Sequence, residues 1–202
     1  MFDLFYYFCR SITQNKKLKA KIQNIATLQT GLFAKPLTNG EVVYLQSKHF
    51  DDQGNLLAIL HPDLLLEDIS EKHILCAGDV LFAAKGTKNF ATVFENHNEP
   101  SVASTSFFVI RPTDKKLLPQ YLAWVLNSPT TQILLKGQAI GTSIPSISKQ
   151  VLENLEIAVP SLETQKAILQ ITKLRNKEKS LRQKIETLKE KQIQQQIINA
   201  IK

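Results

Sequence analysis

The chain has 202 residues, 43% of them hydrophobic, which is enough to bury the core of one ordinary domain. Its net charge of +7 permits a nucleic-acid partner. The two cysteines, Cys9 and Cys76, provide neither a disulfide framework nor metal-ligand spacing, and they favour a reducing, cytoplasmic location. No apolar run has the length of a membrane span, so no membrane partner is predicted.

The first 17 residues combine an aromatic, apolar start with the beginning of a basic cluster at residues 16–21. They lack the basic start and small-residue cleavage site of a signal peptide. Residues 1–17 are interpreted as a leader or a short docking helix. The basic cluster is interpreted as a linker, with a phosphate-facing surface as the alternative.

Residues 18–160 predict a globular domain of mixed α and β structure. Runs of β-branched and aromatic residues between turn signals predict its strands. The predicted strands are residues 42–46, 80–84, 90–94, 102–103, 105–110 and 155–159, with a further candidate at 56–60. We expect the strand at 105–110 to stop at Arg111 and Pro112.

Three short helices are predicted between these strands, at residues 120–126, 130–136 and 149–154. Pro119 suits a first helical position, Gly137 suits a helix end and Ser148 suits an N-cap. The predicted fold class is therefore α+β, a mixed domain followed by one long C-terminal helix.

The long helix is predicted for residues 161–202, a stretch without Gly or Pro after its start. Its apolar residues recur at the a and d positions of a heptad, with Glu178 at one a position: Ile171, Leu174, Leu181, Ile185 and Leu188. Ten Lys or Arg and four Glu give this stretch a net charge of +6. About 38 helical residues would extend about 57 Å, so we expect the seam to need a partner helix. The alternative is a helix folded back on its own domain.

No catalytic, metal-binding or cofactor-binding constellation is predicted. The four histidines lie 12, 12 and 24 residues apart, which is not metal-ligand spacing. Lys85, Gly86 and Thr87 lack the other glycines of a phosphate-binding loop. The pattern favours a binding module over an enzyme.

Polar and basic residues collect at the ends of the predicted strands. Lys side chains suit phosphates, and Gln, Asn, Ser and Thr side chains suit base edges, so we interpret these positions as DNA-binding. The alternative is ordinary loop chemistry. The candidates are Gln46, Ser47, Lys48, Lys85, Gly86, Thr87, Lys88, Asn89, Ser104, Thr105, Thr142 and Ser143.

The order of these pieces resembles the specificity subunits of type I restriction-modification systems, in a half-size form. The resemblance starts near Leu18 and continues to the C-terminus. It rests on residues 78–82, 86–87, 107–112, 118–122, 126–128, 141–147 and 155–165, followed by the long helix. The family's motif after Pro160 usually continues with another Pro and Glu-Gln, where this chain has Ser161 and Thr164-Gln165.

The resemblance implies a non-catalytic subunit whose target-recognition domain reads one half of a bipartite DNA site. It implies double-stranded DNA as a partner, helices that pair antiparallel and dock methyltransferase subunits, and in some systems a restriction subunit. With one such unit in this sequence, we expect a homodimer through the helix and an interrupted palindrome as target. The alternative function is a coiled-coil scaffold or adaptor that does not bind DNA.

Overall fold

The structure, a computed structural model, describes residues 18–201 apart from residues 53, 58–59, 87–88, 96–98 and 142–144. The chain has two compact units, one that ends at Leu162 and one that begins at Glu163. Strands and short helices build the first unit and a single long helix builds the second, so the α+β class is confirmed. The division into residues 1–17, 18–160 and 161–202 stays a prediction, and the interpretation of residues 1–17 lies outside the described residues. The linker interpretation of residues 16–21 is wrong for its described part, because Leu18–Lys21 is a strand paired with Glu156–Val159.

Three sheets are present among the described residues. The largest is antiparallel, in the order β2-β7-β4-β5, while β1 pairs antiparallel with β8 and β3 pairs parallel with β6. The strands are β1 Leu18–Lys21, β2 Ala26–Thr30, β3 Val43–Leu45, β4 Val80–Ala83, β5 Ala91–Val93, β6 Ser101–Ala103, β7 Phe107–Pro112 and β8 Glu156–Val159.

The strand predictions hold except at two places. The described residues of 56–60 form no strand, since Leu56 makes only an isolated bridge to Phe50. The prediction that the strand at 105–110 stops at Arg111 and Pro112 is also wrong, because β7 includes both residues. Pro112 is tolerated there because it pairs with β2 alone, while β4 begins opposite Ile110.

The core lies on both faces of β3. Val43 and Leu45 belong to a cluster with Phe107 of β7 and with Phe90, which precedes β5. Tyr44 belongs to a second cluster with Val102 and Leu64. Successive side chains of a strand point to opposite faces, so a strand buried on both sides reads as a continuous apolar run. This burial accounts for the strong strand signal at 42–46.

Three short helices follow the large sheet: α1 Pro119–Leu126, α2 Pro129–Lys136 and α3 Lys149–Asn154. The caps behave as predicted, with Pro119 in the first turn of α1 and the Ser148 hydroxyl accepting from the Val151 amide. Beyond α1, the side chain of Asn127 bonds both backbone groups of Ala91, at 2.8 and 2.7 Å. Asn127 therefore supplies the hydrogen bonds of a missing neighbour strand at the free edge of β5.

The C-terminal helix, α4 Leu162–Ala200, has 39 residues and therefore extends about 58 Å. Its side chains are exposed from Lys173 to Ala200. Leu174 and Leu181 are 59% and 51% exposed, and Ile185 and Leu188 are 50% and 56% exposed. No helix among the described residues is long and apolar enough to cross a membrane.

Candidate nucleic-acid interface

The parallel pairing of β3 with β6 brings the first two polar segments together. Leu45 stands opposite Ala103, and the amide of Ser104 donates to the carbonyl of Leu45 at 2.8 Å. Parallel strands end at the same edge of a sheet. Gln46 and Ser104, which each follow one of these strands, are therefore neighbours although 58 residues of chain separate them.

The antiparallel pairing of β4 with β7 adds the third segment. Ala83 at the end of β4 stands opposite Phe107 at the start of β7. One step further, the amide of Ala84 donates to the carbonyl of Ser106 at 3.0 Å. Lys85 therefore follows β4 at the same end of the domain where Ser104 follows β6.

The fourth segment is held by backbone pairing with the third. The amide of Ile147 donates to Ala84 and the amide of Gly86 donates to Pro145, each at 2.9 Å. Gly86 has a φ of +101°, a conformation that glycine adopts without strain, so the backbone can turn at this residue. Lys85 also forms an isolated bridge with Ser146.

These contacts unite four sequence segments on one edge of the domain, which we call the loop edge. It consists of the described residues of 46–48, 84–89, 104–106 and 140–147. Thr87, Lys88, Thr142 and Ser143 lie outside the described residues, although the residues that flank them belong to the edge.

The side chains on the loop edge differ in how far they can reach a ligand. Lys48 and Lys85 are exposed, while Gln46, Ser47, Gly86 and Thr105 are half-buried. Two others have structural contacts: Ser104 is 5% exposed with its hydroxyl 2.6 Å from that of Ser106, and Asn89 donates its amide to Ala83 at 2.9 Å. The side chain of Gln46 also accepts from the backbone of His49 in a capping box. Lys48 and Lys85 are therefore the strongest candidates for phosphate contacts, and Gln46 is the candidate for a base edge.

A fifth segment, residues 31–35, joins the loop edge without having been predicted. The amide of Leu32 donates to Ala103 at 2.9 Å, and the Tyr44 hydroxyl donates to the Leu32 carbonyl at 3.0 Å. Phe33 is 76% exposed there, and Lys35 is exposed beside it. The sequence signal was Gly31, where a Cβ would overlap the carbonyl of Ser104, so this close approach needs glycine.

The short 3₁₀ turn Ser47–His49 fixes the position of Lys48. The Nδ1 atom of His49 accepts from the amide of Gln46 at 3.3 Å, which closes the turn. Burial lowers the pKa of His49, the charge of Lys48 lowers it further, and Asp63 opposes both effects. A neutral His49 keeps Nδ1 as an acceptor and adds no charge beside Lys48.

The opposite end of the large sheet carries an ion pair whose carboxylate is buried. Arg111 of β7 donates from Nε and Nη2 to the two carboxylate oxygens of Asp79, each at 2.7 Å, and Asp79 is 1% exposed. Asp79 also accepts from the amide of Cys76 at 2.8 Å. The hydrogen bonds with Asp79 raise the pKa of Arg111. This bidentate pair locks β7 against the turn before β4 and so fixes the strands that present Lys85 and Ser106.

Comparison with known proteins gives relatives of one kind. The type I restriction modification DNA specificity domain family matches residues 19–190. A putative type I restriction enzyme MjaX specificity subunit from Methanocaldococcus jannaschii is 30% identical over 115 residues, 54% of this chain and 26% of that protein. The type I restriction enzyme HindI specificity subunit from Haemophilus influenzae is 29% identical over 103 residues, 50% of this chain and 22% of that protein.

Solved structures share the fold at low sequence identity. The S subunit of a type I restriction-modification system from M. genitalium superposes with a TM-score of 0.54 at 14% identity, over 81% of this chain and 40% of that one. The HsdS subunit from Thermoanaerobacter tengcongensis superposes with a TM-score of 0.58 at 16% identity, over 82% of this chain and 38% of that chain. The chain thus spans less than half the length of the relatives it matches. Since the family match extends over most of its residues, the chain belongs to the type I restriction modification DNA specificity domain family.

Proposed function

We propose that this chain is a DNA-reading unit of a type I restriction-modification system, with the loop edge as its reading surface. The observation that carries the proposal is the convergence of the loop-edge segments. The described residues among those chosen from the sequence for their hydrogen-bonding and basic side chains lie together at one end of three strands. If these residues lay on loops far from one another, they could not contact one ligand together.

The exposed lysines and the half-buried polar groups have separate roles in this proposal. Lys48 and Lys85 contact phosphates and set the position of the domain on the duplex, without regard to sequence. Gln46, which follows β3 directly, reads a base edge, since an amide side chain can form two hydrogen bonds with adenine. Such a surface reads one half of a bipartite target.

In this proposal the long helix makes the contacts with the other proteins of the complex. It pairs with another helix and docks methyltransferase subunits, and those partners carry out methyl transfer and any cleavage while this chain performs no catalysis. At about 58 Å, the helix limits the separation of two half-sites to roughly 17 base pairs. The sequence predicts a second copy of the chain as one partner of the helix, and a cytoplasmic location for the complex.

Selection from a pool of random double-stranded DNA tests this function. The purified chain is expected to enrich one short sequence, because each mismatched base pair lowers the binding free energy by about 1–3 kcal/mol. The matched control is a chain with Lys48→Ala and Lys85→Ala, which should retain little DNA in the first round. Recovery of unbiased sequence, equal for both proteins, would leave the scaffold function as the better interpretation.

A further inference from the structure

One segment of the loop edge alternates between the core and the surface. Leu32 and Ala34 pack against the core cluster that contains Tyr44. Phe33, which lies between them, and Lys35, which follows them, are exposed. This alternation is that of an extended chain, whose successive side chains point to opposite faces. Phe33 and Lys35 therefore share one outward face of the edge to which DNA binding is assigned.

The backbone on both sides of Phe33 is fixed by one buried side chain. Tyr44 is 3% exposed, and its hydroxyl donates to the carbonyl of Leu32 at 3.0 Å and accepts from the amide of Ala34 at 3.3 Å. The amide of Leu32 also donates to the carbonyl of Ala103 at 2.9 Å. The fold thus presents an exposed aromatic side chain on a backbone with little freedom, which is what a preorganised contact residue requires.

Exposure sets Phe33 apart from the other phenylalanines that the structure describes. Phe33 is 76% exposed. The others are buried or half-buried: Phe50, Phe82, Phe90, Phe94, Phe107 and Phe108. A single exposed apolar side chain is common on protein surfaces, but this one also has a fixed backbone and a neighbouring lysine. A ligand that covered it would remove apolar area from water, which favours binding.

The strand pairing gives the spacing between Phe33 and Gln46, which follows β3. The amide of Ser104 donates to β3, whereas the carbonyl of Ala103 accepts from Leu32, so β3 and the segment at Leu32 flank β6 on its two sides. Neighbouring strands lie about 4.8 Å apart, which places the two segments about 10 Å from each other. At about 3.4 Å per base pair, this distance corresponds to roughly three base pairs.

We infer that Phe33 is a second specificity residue of the loop edge and that it contacts the C5-methyl group of a thymine in the major groove. The inference rests on the proposed function, in which Gln46 pairs with adenine. The adenine atoms that suit an amide side chain lie in the major groove, and Phe33 is on the same edge as Gln46. The thymine methyl is the apolar group of that groove, and a phenyl ring is one of the side chains that contact it.

Replacing thymine with uracil removes only this methyl group and therefore tests the contact. The duplex selected with the full chain is remade with uracil at one thymine at a time, and equilibrium titration measures each affinity. At one position, within about three base pairs of the pair at which Gln46→Ala loses its preference, uracil should weaken binding about fourfold, the factor expected for one methyl group buried from water. In Phe33→Ala the loss at that position should fall below about twofold, because the methyl group no longer has its apolar contact.

Leu66→Ala and Lys48→Ala are the matched controls. Leu66 is also an exposed apolar residue, but its amide bonds the carboxylate of Glu41, which precedes β3 at the end away from Gln46. Both variants should keep the fourfold loss with uracil, although Lys48→Ala binds every duplex more weakly. Circular dichroism of each variant, compared with the unmodified chain, verifies that the domain is folded.

Three results would overturn the inference. They are a preferred duplex in which no thymine is sensitive to uracil, a uracil loss that persists in Phe33→Ala, and an equal loss on preferred and scrambled duplexes in Phe33→Ala, as an apolar wedge between bases would give. Failure of the proposed function looks different, because selection would then enrich no sequence and both proposals would fall. An enriched sequence that responds to Gln46→Ala but not to Phe33→Ala would overturn the inference about Phe33 alone.

Discussion

At the scale of single residues, the exposed side chains of Lys48 and Lys85 on the loop edge should contribute to the affinity for any DNA. Replacing Lys48 or Lys85 with Ala should weaken binding to all sequences and lower the slope of log affinity against log salt by about one each. Equilibrium titrations at several salt concentrations measure this slope. Lys115→Ala is the matched control, because Lys115 lies beside Asp79 and Arg111 at the other end of the sheet. If Lys115→Ala has the same effect, the loop edge is not the phosphate contact.

Arg111 should matter for stability because its partner is buried. Arg111→Leu leaves the Asp79 carboxylate without its bidentate partner and should lower the free energy of unfolding by about 3 kcal/mol. The control is Arg182→Leu, which breaks an exposed pair of the same 2.7 Å length and should cost less than about 1 kcal/mol. Urea unfolding of both variants compares them. An equal loss of unfolding free energy in Arg111→Leu and Arg182→Leu would contradict the role assigned to the burial of Asp79.

Two histidines should make the domain less stable in mild acid. Burial is the main cause that lowers the pKa of His49 and of His73 from the ordinary value of 6.5, and the Nδ1 of His73 lies 2.7 Å from the amide nitrogen of Gln29. The unfolded chain then binds more protons near pH 6 than the folded one. Their contribution is full above about pH 6.5 and is lost as pH falls toward the lowered pKa values.

Urea unfolding between pH 7.5 and 5.5 measures this loss. The unmodified chain should lose stability across that interval, and His49→Asn with His73→Asn should make the dependence shallower. A double variant with the same dependence as the unmodified chain would assign the effect to other groups.

At the scale of elements, strands that are buried on both faces were predicted well. β3 and β4 are continuous apolar runs between turn residues, and that local signal matches their surroundings. Residues 56–60 have a similar composition, but no strand lies beside their described residues. Pro112 was expected to end β7, and it does not because β7 has only one neighbour at that point. Pairing with distant segments, which composition does not encode, decided both cases.

Gly31 connects the end of β2 to the loop edge, and its replacement should be costly. A Cβ there would overlap backbone atoms of Ser104 and Ala103, which cannot move aside without disturbing β6. Gly31→Ala should therefore lower the free energy of unfolding by about 2–3 kcal/mol. Gly137→Ala is the control: Gly137 has a φ of −66°, and an added Cβ would lie 3.5 Å from the carbonyl oxygen of Ile133, an ordinary contact. This substitution should be neutral or stabilise by about 0.5 kcal/mol. Thermal unfolding compares the two variants. A larger loss of stability in Gly137→Ala than in Gly31→Ala would contradict the role assigned to Gly31.

At the scale of the whole molecule, the residue types of the candidate site were predictable and their convergence was not. Lys48, Lys85 and Gln46 were chosen because each follows a strand, which local sequence indicates. Their proximity depends on the parallel pairing of β3 with β6 and on the pairing of residues 84–86 with 145–147, both between distant segments. Phe33 and Lys35 were missed because residues 31–35 have no strand signal and reach the edge through the contacts of Gly31 and Leu32 with distant residues.

The family explains why one surface of the domain should read DNA, and Gln46 offers the most direct test of where. After selection of a preferred duplex, the decisive measurement is the ratio of affinities for that duplex and a scrambled one, in the unmodified chain and in Gln46→Ala. We expect Gln46→Ala to lower the affinity for the preferred duplex by about 1–3 kcal/mol and to leave the scrambled duplex unchanged. Equal loss on both duplexes, or no loss on either, would contradict the assignment of the loop edge as the reading surface.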